Sequence, residues 1–273
     1  MKLSNTMLSY DDYVKQGKMT VADFIDISAG CGLDAIDLLE YYWVDKEREV
    51  REIPGQLKEK GLGIGAFCIG NNFIIESEAR KLQIEYVREG IRTASKLGAE
   101  RLRIFGGYRN NPEELKKDEE LGIIIDCIGQ VIDYAKENGI KLIIENHGGI
   151  PATSGDMLTI LKSINSAWLK VNFDIGNFLG TGGQDPMEAA KDLYPYIDFI
   201  HAKDLIEIVD GDEEYRSCIT GQGIVPVREC LEFFREKGYG GYVSLEYEAW
   251  ATVESKKGVK QSLEYLKNIL GKL

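Results

Sequence analysis

Four short apolar runs in this chain carry charged residues where a buried strand would not normally hold them. In Leu142-Ile143-Ile144-Glu145-Asn146-His147, Glu145 and His147 stand two apart, which puts both side chains on one face of an extended segment. Val171-Asn172-Phe173-Asp174 pairs Asn172 with Asp174 in the same way. Phe199-Ile200-His201-Ala202-Lys203 pairs His201 with Lys203, and Ser244-Leu245-Glu246-Tyr247-Glu248 pairs Glu246 with Glu248. An unpaired carboxylate is rarely buried, because its lost hydration goes uncompensated. Brought to one point, Glu145, Asp174, His201 and Glu246 would supply three carboxylates and one imidazole, and three negative charges repel unless a cation sits among them. An oxygen-rich set with one nitrogen suits Mn2+, Mg2+ or Co2+ and fits Zn2+ less exclusively. Any one of these residues alone would pass as a strand-end or capping residue. Four in matching positions on successive strands read as a metal site.

Such a site needs a scaffold that gathers the ends of separate strands. Strand candidates span residues 35–42, 63–69, 101–105, 141–145, 169–174, 199–202 and 242–246, with a weaker one at 3–7. Amphipathic helical patterns lie between them at 78–97, 113–138, 154–164, 186–193, 227–237 and 254–270. Several of these helices run into a glycine (Gly98, Gly139, Gly238) that can take the left-handed conformation closing a helix. Strands alternating with helices imply parallel βαβ units. Eight such units in 273 residues predict a single-domain α/β fold, a (β/α)8 TIM barrel over residues 1–273. The glycine-rich phosphate turn that opens a doubly wound sheet is absent after the first strand. Barrel active sites lie at the C-terminal strand ends, where the four polar pairs stand.

Composition narrows the partners. The formal charge is −12, and no basic cluster exceeds the pairs Lys116-Lys117 and Lys256-Lys257, so nucleic acid is not an expected partner. No run approaches the ~20 apolar residues of a membrane span, and the N-terminus has no apolar export signal, so a cytoplasmic location is expected. Five scattered cysteines without a Cys-x-x-Cys pair fit a reducing compartment. Whether the chain forms a homo-oligomer is left open.

At these residues the chain resembles the xylose isomerase-like TIM-barrel superfamily, in its sugar-phosphate isomerase/epimerase branch. The segments carrying the resemblance are Glu145-Asn146-His147-Gly148-Gly149, Asn172-Phe173-Asp174-Ile175-Gly176-Asn177, His201-Ala202-Lys203-Asp204 and Gly221-Gln222-Gly223. The resemblance implies that Glu145, Asp174, His201 and Glu246 hold one metal ion. In ketose 3-epimerases of this family, the residues matching Glu145 and Glu246 are also the acid/base pair. The chain departs from the pattern at Asn177, where many relatives carry histidine; asparagine can orient a hydroxyl but cannot titrate. The resemblance extends to AP endonucleases with three zinc ions, but His147 and His201 are too few to build a trinuclear site.

The expected chemistry is proton transfer next to the carbonyl of a sugar or sugar phosphate. A divalent ion spanning a carbonyl oxygen and its neighbouring hydroxyl favours the enediolate, and two carboxylates can then work its opposite faces. Glu145 and Glu246 are assigned that double role. His147, one step further out, is a second candidate base, and with it a dehydratase or lyase acting by β-elimination is the alternative. A non-catalytic sugar-binding or assembly module is the remaining one. Lys203, Asn177 and Arg216 are the candidate substrate-binding residues, Lys203 having pairing with Asp204 or another carboxylate as its structural alternative. Tyr41 and Trp43 read as rim packing, Arg103 as neutralising an inner carboxylate such as Asp37, and Gly106-Gly107 and Gly182-Gly183 as loop glycines.

Overall fold

Residues 1–108, 115–208, 214–248 and 251–271 are described by the structure, a computed structural model of the chain. The β-type runs form β1 (Lys2–Thr6), β2 (Ala35–Leu39), β3 (Gly63–Cys68), β4 (Arg101–Ile104), β5 (Lys141–Glu145), β6 (Leu169–Asp174), β7 (Ile197–Ala202) and β10 (Tyr242–Leu245). These eight pair in parallel around a closed barrel, β1 meeting β2 on one side and β10 on the other. A small antiparallel hairpin, β8 (Leu205–Glu207) with β9 (Tyr215–Ser217), rises from the end of β7.

Both faces of the barrel strands are covered, which is why these strands read as continuous apolar runs rather than alternating ones. All five residues of β2 are buried. The helices supply the outer cover. Ser77–Leu97 turns Ile84, Val87, Ile91, Ala94 and Leu97 inward at helical spacing, each large side chain contributing roughly 1.5–3 kcal/mol by leaving water. Thr20 and Thr153 start their helices with capping boxes closed by Asp23 and Asp156. Gly98, Gly139 and Gly238 take φ of 76°, 69° and 82° at the expected stops.

Three local expectations need correction. The helix expected over 113–138 is two helices, Lys117–Gly129 and Ile132–Glu137, because the chain breaks at Gly129-Gln130 to bury Val131 completely; residues 113 and 114 lie outside the described residues. The second strand stops at Leu39, and Glu40–Tyr42 forms a 3-10 turn that buries Tyr42, whose hydroxyl donates to Asp11 Oδ1 at 2.6 Å. Two helices outside the expected set, Val21–Gly30 and Lys46–Lys60, help complete the outer ring. No helix among the described residues is long and apolar enough to cross a membrane.

Register decides which polar residues meet. Asp174 on β6 and Ser244 on β10 both stand opposite His201 on β7, while Glu145 on β5 stands opposite Asn172 on β6. Parallel strands in this stagger carry the polar pairs to the same end of the barrel.

Candidate metal centre

Glu145 ends β5, Asp174 ends β6, His201 lies one residue before the end of β7, and Glu246 follows β10. All four are buried, and each offers one ligand atom within 4.8 Å of the others. The centre of this group is crowded with oxygen. His201 Nδ1 lies 2.9 Å from Glu246 Oε2, 3.4 Å from Glu145 Oε1 and 3.9 Å from Asp174 Oδ2. One imidazole N–H cannot serve three carboxylates at once.

Two buried cations flank the group. Arg103 Nε stands 3.3 Å from Glu145 Oε2, and the guanidinium covers the Phe105 ring at 3.9 Å. Lys203 Nζ is 2.7 Å from Glu246 Oε1, 2.7 Å from Glu248 Oε1 and 3.3 Å from Asp174 Oδ2. Glu145 and Glu246 are thus held alike, one oxygen on a cation and the other facing the centre. Around the centre, four carboxylates (Glu145, Asp174, Glu246, Glu248) face two permanent cations, leaving two negative charges over. Asp174 Oδ2 is buried and accepts no hydrogen bond from the described residues.

The charge shortage shows in the acid–base behaviour. Burial pushes the Asp174 carboxyl up to about 7, with Lys203 pulling it back and Glu246 and Glu145 adding repulsion. Burial also opposes ionisation of Glu246, but Lys203 and His201 outweigh it and hold that carboxyl well below its ordinary range. Glu145 is likewise lowered against its burial, by His201 and Arg103. His201 is driven well above the ordinary imidazole range despite burial, by Glu246 and Glu145, so its second proton acts as a makeshift cation. A divalent ion fits this donor set: it would replace that proton, satisfy Asp174 Oδ2 and close the two-charge gap.

The structure keeps several sequence expectations apart. Arg103 does meet an inner carboxylate, but Glu145 rather than Asp37. It stands level with Ile143, and its long side chain reaches Glu145, while Asp37 accepts from the Ser244 hydroxyl. Lys203 pairs with three carboxylates, but not with Asp204. Asp204 instead accepts backbone N–H groups from Leu205, Gly221, Gly223 and Val225 at 2.8–3.1 Å. A β-carbon at Gly223 would collide with that carboxyl group, which explains the glycine in Gly221-Gln222-Gly223. Asn177 has both side-chain polar atoms taken, Nδ2 by the Asn146 carbonyl at 3.0 Å and Oδ1 by Lys203 at 3.1 Å. Arg216 is exposed on β9, out of phase with Tyr215 and Ser217, and does not join the group. Trp43 packs on Phe67 with centroids 5.5 Å apart, and Tyr41 stands against Tyr42 with about half of its surface exposed. Residues 209–213 and 249–250, which flank the site in sequence, lie outside the described residues.

Asn146 and Tyr108 carry no sign of their roles in the sequence, while Glu248 shows only its period-two spacing from Glu246. Asn146 ties β5 to β6, its side chain accepting from Asp174 N and donating to Asp174 O, both at 2.9 Å. Glu248 presents a second oxygen, Oε2, without a hydrogen-bond partner among the described residues, beside a cavity of about 440 Å³ that is also lined by His147, Lys203, Tyr215 and Glu214. Burial lowers His147 to about 4, so its ring is neutral. Tyr108, in a loop with no periodic signal, hydrogen-bonds that ring.

Comparison with known proteins agrees with this architecture. A family model described as xylose isomerase-like TIM barrel matches residues 25–269. An uncharacterized protein of Methanocaldococcus jannaschii, MJ1311, is 29% identical over 197 residues, 70% of this chain and 65% of that protein. An inosose dehydratase of Serratia proteamaculans is 25% identical over 146 residues, 48% of this chain and 49% of that protein. The chain therefore spans about half to two thirds of the curated relatives it matches. Among solved structures, a D-tagatose 3-epimerase-like protein superposes with a TM-score of 0.79 at 22% identity, covering 99% of this chain and 97% of that one. The IOLI protein with a binding zinc atom does so with a TM-score of 0.82 at 17% identity, covering 100% and 99%. At these identities the structural matches speak to the fold.

Proposed function

The chain belongs to the xylose isomerase-like TIM-barrel family, and from that premise we propose that it is a divalent-metal-dependent sugar isomerase or epimerase that moves a proton next to a carbonyl. The observation carrying this reading is the convergence of Glu145, Asp174, His201 and Glu246 on one buried point with two negative charges in excess. In the proposal these four residues hold the ion, with Mn2+ preferred and Mg2+, Co2+ or Zn2+ as competitors of similar fit. When bound, such an ion supplies electrostatic stabilisation to negative charge on adjacent substrate oxygens.

The acid/base work falls to Glu145 and Glu246. Arg103 and Lys203 each grip one oxygen of a carboxylate, which fixes its orientation and keeps it ionised, ready to accept a proton. The two carboxylates come from strands separated by β6 and β7, so they approach the centre from different directions. Proton removal by one and return by the other inverts a carbon; return to the neighbouring carbon interconverts aldose and ketose. Lys203 and Asn177 orient this machinery from below the mouth, and the substrate is a small sugar or sugar phosphate.

A second reading, dehydration of a keto-sugar by β-elimination, is favoured by the partial match to inosose dehydratase. Product mass separates the two, since isomers conserve it and dehydration releases water. The test of the main reading is Glu246→Gln, assayed with Mn2+ against a panel of ketoses and keto-sugars. Turnover should fall by roughly 10²–10⁴-fold, the usual worth of a positioned acid/base group. Unchanged turnover would remove Glu246 from the acid/base pair.

A further inference from the structure

His147 and Tyr108 reach each other from two different loops, which are tied together at close quarters. Gly107 and Ile150 exchange backbone hydrogen bonds, each at 3.0 Å, which bridges the loop after β4 to the loop after β5. A β-carbon on Gly149 would collide with the Gly107 carbonyl, and one on Gly107 with Asn72 and the backbone of Ile74. Asn72 then grips Tyr108 twice, accepting from its N at 3.0 Å and donating to its O at 3.2 Å. The His147 ring is held between Phe105, at a centroid distance of 4.7 Å, and the edge of Tyr108, at 5.3 Å. Within this clamp the Tyr108 hydroxyl lies 2.8 Å from His147 Nδ1.

From this contact we infer that Tyr108 sets which nitrogen of His147 carries the hydrogen, making His147 a hydrogen-bond donor to a substrate oxygen rather than a proton acceptor. A neutral imidazole has one donor nitrogen and one acceptor nitrogen, and the acceptor is chosen by its partner. Among the described residues Nδ1 is the sole polar partner of the Tyr108 hydroxyl, and the ring makes no other hydrogen bond. If the hydroxyl donates to Nδ1, both groups are satisfied and Nε2 carries the ring hydrogen. The reverse arrangement would leave the hydroxyl hydrogen with no acceptor among those residues, which partly buried donors avoid. With Nδ1 taken, Nε2–H is the group His147 offers to the cavity it lines. Its ligand is then an acceptor oxygen: a carbonyl, a hydroxyl, or the oxygen on which charge gathers during proton transfer. The proposed function supplies only what that donor meets. Tyr108 is a positioning residue, acting through His147.

The chain contains only two histidines, so the imidazole nitrogens can be read directly. Protein labelled with 15N in the imidazole rings would be studied by long-range 1H–15N correlation at about pH 8, where a free imidazole is neutral, with His147→Gln assigning the signals. The expected pattern for His147 is a protonated, pyrrole-type Nε2 and a bare Nδ1. In Tyr108→Phe, which keeps the ring and loses the hydroxyl, the pattern should relax toward a mixture of tautomers. A pyrrole-type Nδ1 in the parent protein, or an unchanged spectrum in Tyr108→Phe, overturns the inference. These spectra need neither metal nor turnover, so they stand or fall apart from the proposed reaction. A second readout uses the assay. Glutamine at 147 can donate but cannot act as a base, so His147→Gln should stay within roughly tenfold of the parent in kcat while His147→Leu falls well below it. Equal loss in both variants would also overturn the donor role.

Discussion

At the N-terminal end of the barrel, Asp198 is shared by two cations, Arg101 Nε at 2.7 Å and Lys141 Nζ at 3.0 Å. At the opposite end, Lys203 alone is shared by three carboxylates and Arg103 serves a fourth. The lower cluster touches solvent, with 18% of the Asp198 side chain exposed, whereas Asp174 and Glu145 above are almost fully enclosed. Charge is matched where the barrel is merely closed, once Glu100, 3.3 Å from Arg101, is counted with Asp198, and it is left short of cations where the barrel is proposed to act. A surplus of buried negative charge stores unfavourable energy in the folded chain, and a ligand cation releases it on binding. The lower end contributes stability, and on the proposed reading the upper end gives up some of it for affinity.

The sharpest way to break this contrast is to remove Asp174. In Asp174→Ala, about one equivalent of bound divalent ion should disappear from purified protein measured by elemental mass spectrometry. Turnover should fall by about 10³-fold, the several kcal/mol that metal-borne stabilisation is worth. Because Mg2+ can be stripped in handling, parent protein found empty would be titrated with Mn2+ by calorimetry. A parent that still binds nothing would leave the charge gap without its cation and move the non-catalytic reading forward.

Asp37 sharpens where the shortage begins. Burial raises its carboxyl to about 7 from an ordinary 3.8, eased by His201 and Ser244. A raised folded-state pKa contributes stability that is complete below pH 3.8 and is lost as pH rises through about 7. Asp37→Asn should therefore gain on the parent progressively between those limits and level off above them, by an amount on the order of 4 kcal/mol. Melting temperatures of metal-free protein across that range check it. A constant difference between the two proteins would mean that Asp37 does not change charge there.

The smallest effect is expected at the lower end and has the opposite sign. Asp198→Asn leaves Arg101 and Lys141 without their shared carboxylate and should cost roughly 1–2 kcal/mol at neutral pH, discounted for partial exposure. Burial opposes ionisation of Asp198, but Arg101 and Lys141 lower its pKa, so its contribution is present above the ordinary carboxylate range and fades as pH falls through its folded value. Urea unfolding at neutral and acidic pH measures both. A gain in stability at neutral pH would erase the distinction between the two ends.

Much of this arrangement is legible in the sequence because charge in an apolar strand is rare. Glu145, Asp174, His201 and Glu246 stand out against Ile, Leu, Val and Phe, and period-two spacing says which residues share a face. The same spacing says nothing about height in the barrel. Arg103 and Asp37 both point inward, yet the register of β4 against β5 carries the arginine to Glu145. Helical periodicity across 113–138 likewise hides a break, since apolar spacing continues through a backbone that turns at Gln130. Tyr108 and Asn72 leave no trace at all, because they act from loops whose partners are set by backbone contacts such as Gly107 with Ile150.

The Asp204 carboxyl group, holding four backbone N–H groups, bears on how this barrel could acquire new preferences. It fastens both ends of one excursion, Leu205 where the chain leaves β7 and Gly221 to Val225 where it returns. Lengthening a span pinned at both ends costs little, about 0.6 kcal/mol for each doubling. The buried return is tied to the site's surroundings, Ser217 Oγ accepting from Glu248 N at 3.3 Å and Ser262 Oγ from Thr220 N at 3.0 Å, so changes of length are expected to be sampled between Ile208 and Glu214 while the four ligand candidates stay in place. One aspartate makes that stretch a replaceable part, where descent can vary what is recognised without rebuilding what reacts.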